Sequence, residues 1–240
     1  MKERPILFSA PMVRALLDGN KTQTRRVVKL DPGPYWNPAV GDYNPIIIDN
    51  GGYDAPGPEI FGASDEIAGR KFPYGRPGSH LWVRETFFAY GRWETRFSVK
   101  KTRDEWHFID MTTECDRTYQ FAADNPDLPP ATDRGGALPG WYKRPAIFMP
   151  RAGSRILLEI VSVRVERLND CSEADAIAEG VRKFADSFMR GSPGWEGYPG
   201  AFARPDAYTA YYDLWEKING AGSWDANQWC WAITFKRVAP

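Results

Sequence analysis

The stretch Ile156–Leu168 constrains the fold more than any other part of the chain. Its apolar residues alternate as Ile156, Leu158 and Ile160, then change phase to Val161, Val163 and Val165. Successive strand residues point to opposite faces, so an uninterrupted strand would turn half of this apolar set into water. A bulge or sharp bend near Ile160 avoids that, and small closed barrels use such bends. Further strand signals lie at Pro5–Phe8, Thr22–Val28, Leu81–Phe87, Arg117–Phe121 and Trp229–Val238. Three short helices fall between them. The first starts at Pro11 and carries Val13, Leu16 and Leu17 at helical spacing, with Gly19 where a cap belongs. The second opens at Ser172, with Asp175 completing an approximate capping box, and Gly180 ends it. The third runs from about Asp206 to Ile218. Strands of uneven length with occasional helices predict an α+β fold rather than a doubly wound sheet. The expected core is a small mixed β-barrel with flanking helices.

At 240 residues the chain is read as a single domain, 1–240, with long insertions at about 30–77, 90–150 and 183–205. Pro32, Pro34, Pro38, Pro45, Pro56 and Pro58 make the first of these suit a long ordered loop rather than a packed layer. Lys plus Arg and Asp plus Glu both total 31, a balance that disfavours gripping long nucleic acid. Locally, Arg14, Lys21, Arg25, Arg26 and Lys29 face only Asp18, which suits a small charged ligand or a short nucleic-acid segment. Three widely spaced cysteines do not make a disulfide framework. No apolar run approaches a membrane span and no signal-type apolar segment is present, so a cytoplasmic protein with no membrane partner is expected. With two histidines and no Cys-x-x-Cys or His-x-x-x-His, no metal site and no cofactor are predicted.

The residues that carry chemistry are concentrated in Gly19-Asn20-Lys21-Thr22-Gln23-Thr24-Arg25-Arg26. A hydroxyl becomes a nucleophile when a base takes its proton, and a desolvated lysine can be that base. A phosphate loop is disfavoured because the upstream glycine and a contiguous Gly-Lys-Thr are missing. Neither histidine sits in a Ser-His-Asp context. Strand parity raises a difficulty: residues 21 and 24 point to opposite faces unless the chain turns between them. On parity alone Thr22, Thr24 and Arg26 share one face and Gln23 and Arg25 the other. A solvated basic edge strand is the competing reading.

Gly19-x-Lys21-x-x-Thr24-x-Arg26 resembles the Gly-x-Lys-x-x-Glu-x-Arg signature of ASCH domains in the PUA-like superfamily, with threonine where most members carry glutamate. Bacterial amidohydrolases that deacetylate cytidine acylated on its exocyclic amine are similar here, with Lys-Thr-x-Thr-x-Arg. The Ile6-Leu7-Phe8 strand, the Ser172-Glu173-x-x-Ala176-x-x-Glu179 helix and the closing Trp231–Lys236 strand extend the likeness. Leu-Trp-Val-Arg-Glu-Thr-Phe at 81–87 is similar to a larger, phage-associated ASCH group. The resemblance covers about half the chain and implies a nucleoside amidohydrolase. Thr24 would be the nucleophile, Lys21 its proton acceptor and Glu179 the group that orients the lysine. Substrate contacts are expected at Arg26, Glu85, Phe8 and Ser9. Arg26 has a second role open to it, bracing the turn against an acid, and Glu85 an arginine-paired structural role. On helical periodicity Ala174, Ile177, Ala178 and Val181 form the buried stripe and Glu179 projects opposite Ile177, which leaves a solvent-facing carboxylate as its plain alternative. An RNA or modified-nucleotide binding module without catalysis is the alternative function, with RNA not favoured by the zero net charge. Nuclease chemistry ranks last.

Overall fold

The computed structural model describes residues 3–129, 138–189 and 192–238. The Pro/Gly-rich tail expected in the second insertion falls in part on 130–137, outside the described residues. In chain order the first elements are β1 (Glu3–Leu7), α1 (Ala10–Leu17), β2 (Gln23–Val27), β3 (Ala39–Tyr43), β4 (Ile46–Ile48) and β5 (Asp54–Pro56). Next come β6 (Ile60–Ser64), β7 (Gly69–Lys71), β8 (His80–Arg84), β9 (Phe87–Ser98), β10 (Arg103–Asp110), β11 (Gln120–Phe121) and β12 (Gly140–Arg144). The last are β13 (Leu157–Arg167), α2 (Glu173–Ala178), β14 (Arg182–Met189), β15 (Ser192–Glu196), α3 (Ala207–Asn219) and β16 (Trp229–Val238). The chain is therefore a mixed α+β protein dominated by strands in several sheets. Among the described residues no helix is long and apolar enough to cross a membrane.

The chain divides into two compact units. The first comprises 1–4, 15–81 and 156–240, and the second 5–14 and 82–155. In the first unit β16 runs antiparallel to β13 on one side and to β2 on the other. Cys230, Trp231, Ala232, Ile233 and Phe235 are all buried, so both faces of β16 are covered. The register between β13 and β16 shifts between Ile160 and Ser162, which makes Val161 the extra residue of a bulge. The phase change legible in the sequence has this cause: Val161 is exposed, and burial resumes at Val163.

The first insertion departs from the loop expected of it. β3, β6 and β7 form a three-stranded antiparallel sheet, and β4 with β5 a hairpin. Phe72, which directly follows β7, supplies the reason. Its buried ring meets Phe61 and Tyr74 edge-on and lies 5.1 Å from Trp231 of β16. The prolines fall outside these strands or, as with Pro56, at the end of a short edge strand, where no ladder donor is lost. The stretch expected as a loop from 184 to 205 likewise carries most of the β14–β15 pair, closed by an Arg182–Glu196 ion pair and by mutual backbone bonds between Trp195 and Arg204.

α2 and α3 pack together in this unit. Asp206 caps α3 by accepting from the Thr209 N–H at 2.7 Å, and the Glu173 carboxylate of α2 accepts from the Ala207 and Tyr208 N–H groups at 2.6 and 2.9 Å. One acid on α2 thus satisfies two orphan donors of α3 and fixes the angle at which α2 meets it.

The second unit is built on β9, flanked by β10 on one edge and β12 on the other, with Gly91 opposite both Asp110 and Gly140. Its core holds Phe87, Ala89 and Met149 with Phe108, Tyr119 and Phe121 around them. The strand expected at Leu81–Phe87 is interrupted. β8 ends at Arg84, the Thr86 carbonyl leaves the ladder to accept from the Ala122 N–H at 3.0 Å, and β9 starts at Phe87. The strand expected at Arg117–Phe121 contracts to Gln120–Phe121.

Candidate functional site

The end of α1 places Lys21. Gly19 takes a positive φ of 76°, which an L side chain resists, and the Asn20 and Lys21 N–H groups both bond back to the Ala15 carbonyl at 2.9 and 3.0 Å. The chain then threads between two elements of the first unit. Thr22 N–H donates to the Ala178 carbonyl at the end of α2, and the Phe235 N–H of β16 donates to the Thr22 carbonyl, each at 2.9 Å. Lys21 therefore precedes the first ladder residue of β2, Gln23.

From there its ammonium donates to the Glu179 carboxylate at 2.8 Å and to the Glu179 backbone carbonyl at 2.7 Å. That carbonyl ends α2, so the lysine answers both an orphan acceptor and the negative end of the helix. Lys21, Thr24, Arg25 and Glu179 are each 2 % exposed. The buried stripe of α2 runs through Ala176 and Glu179; of the stripe expected from periodicity Val181 is buried and Ala178 half-buried, but Ala174 is exposed and Ile177 is 40 % exposed. The reason is electrostatic. A six-residue helix docks here by its carboxylates, because buried cations await them.

Arg25 is the residue that sequence reasoning undervalued. Its guanidinium reaches Glu179 at 3.4 Å, Asp175 at 3.2 Å and Glu166 of β13 in a still closer contact. Arg164 in turn bonds Asp175 at 2.9 Å and Glu166 at 3.4 Å. Lys21, Arg25 and Arg164 thus balance Glu166, Asp175 and Glu179, and the cluster is neutral as a whole. Its signal was present in the sequence: Lys21, Gln23 and Arg25 recur at the strand period, and Asp175 and Glu179 at the helical i, i+4 spacing.

Thr24 is paired through its backbone with Ile233, and by strand alternation its side chain lies on the face of β2 opposite Arg25. Lys21 and Glu179 are brought into direct contact, and the Thr24 hydroxyl takes no part in that contact. Arg26 is half-buried at the position opposite Trp231. The other expected substrate contacts belong to the second unit. Phe8 is buried, with its N–H on the Arg84 carbonyl at 3.0 Å, and Ser9 is exposed, its carbonyl accepting from Val13 N–H at 2.9 Å. Both oxygens of the buried Glu85 are held by Arg155, at 2.9 and 3.1 Å, and the same guanidinium binds Asp124 and lies 4.0 Å over the Phe121 ring.

Burial pulls the Lys21 pKa below its ordinary 10.5, Glu179 opposes that fall, and the charges of Arg26 and Arg25 add to it. Burial also raises the Asp175 carboxyl, but bonds from Ser172 and Arg164 and the charge of Arg25 outweigh it and leave the pKa well below normal. The thiols of Cys171 and Cys230 are pushed up to about 12 by burial, so neither offers a thiolate near neutral pH. The groups left for chemistry are an amine with a depressed pKa, a carboxylate that holds it and a buried threonine whose side chain stands on the other face of β2. No family model, no curated protein and no solved structure matches this chain.

Proposed function

We propose that the protein is an amidohydrolase that removes the acyl group from the exocyclic amine of N-acylated cytidine or cytosine, and that its core is the small PUA-like barrel of the ASCH family. The observation that carries the reading is Lys21: wholly buried, depressed in pKa and fixed by Glu179 in the segment of the motif. The bulge at Val161, which bends β13, supports the barrel.

The chemistry balances with these residues. Lys21, once neutral, takes the Thr24 proton as the hydroxyl oxygen bonds to the acyl carbon. The lysine returns that proton to the exocyclic nitrogen as the carbon–nitrogen bond breaks, releasing cytosine and leaving an ester on Thr24. Water, deprotonated by the same amine, hydrolyses the ester to the free acid. At rest Lys21 engages Glu179 and the Thr24 side chain lies on the other face of β2, so the cycle requires the two groups to be brought together when substrate binds. Arg25 shares the Glu179 charge and thereby weakens the hold of that carboxylate on the lysine proton.

Incubation with N-acetylated cytidine, followed chromatographically, should release cytidine. Lys21→Ala and Thr24→Ala should lower turnover by roughly 100- to 10,000-fold while circular dichroism stays native. Absence of turnover in the native protein, or full activity in Thr24→Ala, overturns the proposal.

A further inference from the structure

The second unit carries a surface that the amidohydrolase reading does not use. Strand register sets Trp93 opposite Phe108 and Thr95 opposite Trp106 across β9 and β10, and Phe97 opposite Asp104. Paired residues share a face, so Trp93, Phe97, Trp106 and Phe108 all stand on the same side of the sheet. Across the other edge of β9, Tyr142 lies opposite Ala89 and Arg144 opposite Phe87, which adds Arg144 to that side. The face grades from a buried end at Phe87 to an open one, where Trp106, Phe148 and Phe97 are 43, 59 and 62 % exposed.

A cavity of about 560 Å³ opens here, lined by Trp93, Trp106, Phe108, Lys143, Arg144 and Phe148 among others. The Arg144 guanidinium lies 4.9 Å over Trp93, 4.5 Å over Phe108 and 4.8 Å over Phe148, so a cation is already stacked among the rings. Lys143 lines the same cavity and is exposed, although as the partner of Phe88 it leaves β12 from the other side and meets the cavity at its rim. On the other side of the sheet Glu105 is held by Lys101 at 2.7 Å and Glu94 by Arg92 at 2.7 Å, while on this face an exposed acid, Asp104, stands opposite Phe97 at the far end from Arg144. The sequence of this unit holds 13 lysines and arginines against 10 acids, although the whole chain is neutral.

Exposed rings on a sheet face with lysine and arginine beside them are complementary to flat bases joined by phosphates. A duplex hides its base faces, whereas unpaired bases offer them. We propose that this face of β9, β10 and β12 binds a short single-stranded nucleic-acid segment, with bases stacked on Trp106 and Phe148 and phosphates met by Lys143 and Arg144. The proposal is independent of the hydrolytic reading.

Fluorescence anisotropy of labelled ten-nucleotide oligo-U and oligo-dT with the full chain tests it. Binding is expected with a shallow salt dependence, a log–log slope of about −1.4 for two neutralised phosphates. Trp106→Ala and Phe148→Ala remove exposed side chains, so the fold should persist, and each should weaken binding roughly 5- to 100-fold. Phe202→Ala, in the first unit, should leave it unchanged. No binding at 100 micromolar (about the weak limit of nonspecific affinity), equal affinity for duplex, or unaltered affinity in both ring variants overturns the proposal. Preferential capture of oligoglutamate, lost in the same variants, overturns it too by reassigning the face to an acidic protein partner.

Discussion

Replacing Glu179 by glutamine tests whether Lys21 is a buried titrating amine or an inert part of the core. The wild-type ammonium is 2.8 Å from the carboxylate, with side-chain exposures of 0 and 3 %. At an effective dielectric of about 20 the direct attraction is roughly 6 kcal/mol. Glutamine keeps an acceptor and the Glu179 backbone carbonyl remains, while Arg25 retains Asp175 and Glu166. The expected loss of stability near neutral pH is about 2–4 kcal/mol, somewhat under the roughly 3–5 kcal/mol typical for breaking a buried pair because an acceptor is kept. Proton release sets a ceiling. Folding with Lys21 neutral costs about 1.4 kcal/mol for each pH unit below its ordinary 10.5, hence about 5 kcal/mol at pH 7 and about 2 at pH 9. The sign follows from linkage. A lysine whose folded pKa is depressed binds fewer protons in the folded state, so stability is gained as pH rises from that value to 10.5 and is lost as pH falls. Without the Glu179 charge the folded pKa drops further and the window opens lower. Urea unfolding followed by tryptophan fluorescence at pH 7 and pH 9 should show the deficit shrinking by up to about 3 kcal/mol, with the denaturant slope unchanged. A deficit that is the same at both pH values, or larger at pH 9, refutes the reasoning.

Arg25→Met should destabilise by about 3–5 kcal/mol in the same assay, because it removes the buried countercharge shared by three carboxylates and leaves only Lys21 and the half-exposed Arg164 to answer them. Arg25→Lys should recover only part of that since an ammonium cannot span them. Gly180 has a φ of 95° and a Cβ there would sit 3.1 Å from the Ala15 Cβ and 3.2 Å from the Lys21 Cβ. Gly180→Ala should therefore cost about 1–3 kcal/mol and, by pushing on Lys21, reduce turnover. Ser172→Ala removes the capping box with Asp175 and should cost about 1 kcal/mol, read as a lower unfolding midpoint. Stability should also fall as pH drops below about 3.8, because the depressed Asp175 carboxylate begins to lose the advantage it holds over the unfolded chain.

Elements whose signal is local were legible. Asp206 opens α3 and Ser172 opens α2 as expected, and the strand at Trp229–Val238 is found with those bounds. The Val161 bulge was readable because a change of phase leaves a mark in one segment. The small sheets between 39 and 71 were not, since their strands are three to five residues long and rest on Phe72 meeting Trp231 far along the chain. The β9–β10 hairpin hid for a related reason: its aromatics alternate with charged residues that are paired across the strands, so the composition reads as polar.

The sequence alone determined the candidate chemistry: which segment carries the amine and the hydroxyl, that Gly19 turns the chain ahead of Lys21, and that Glu179 ends a helix. It also determined where β1, β2, β13 and β16 run, because alternation, caps and prolines act over a few residues. Only the tertiary structure decided that Glu179 is buried rather than solvated, and that Arg25 joins three carboxylates from two distant elements. Burying a charge is costly unless a countercharge arrives from elsewhere. That countercharge comes from residues more than a hundred positions away, so no local pattern reveals it.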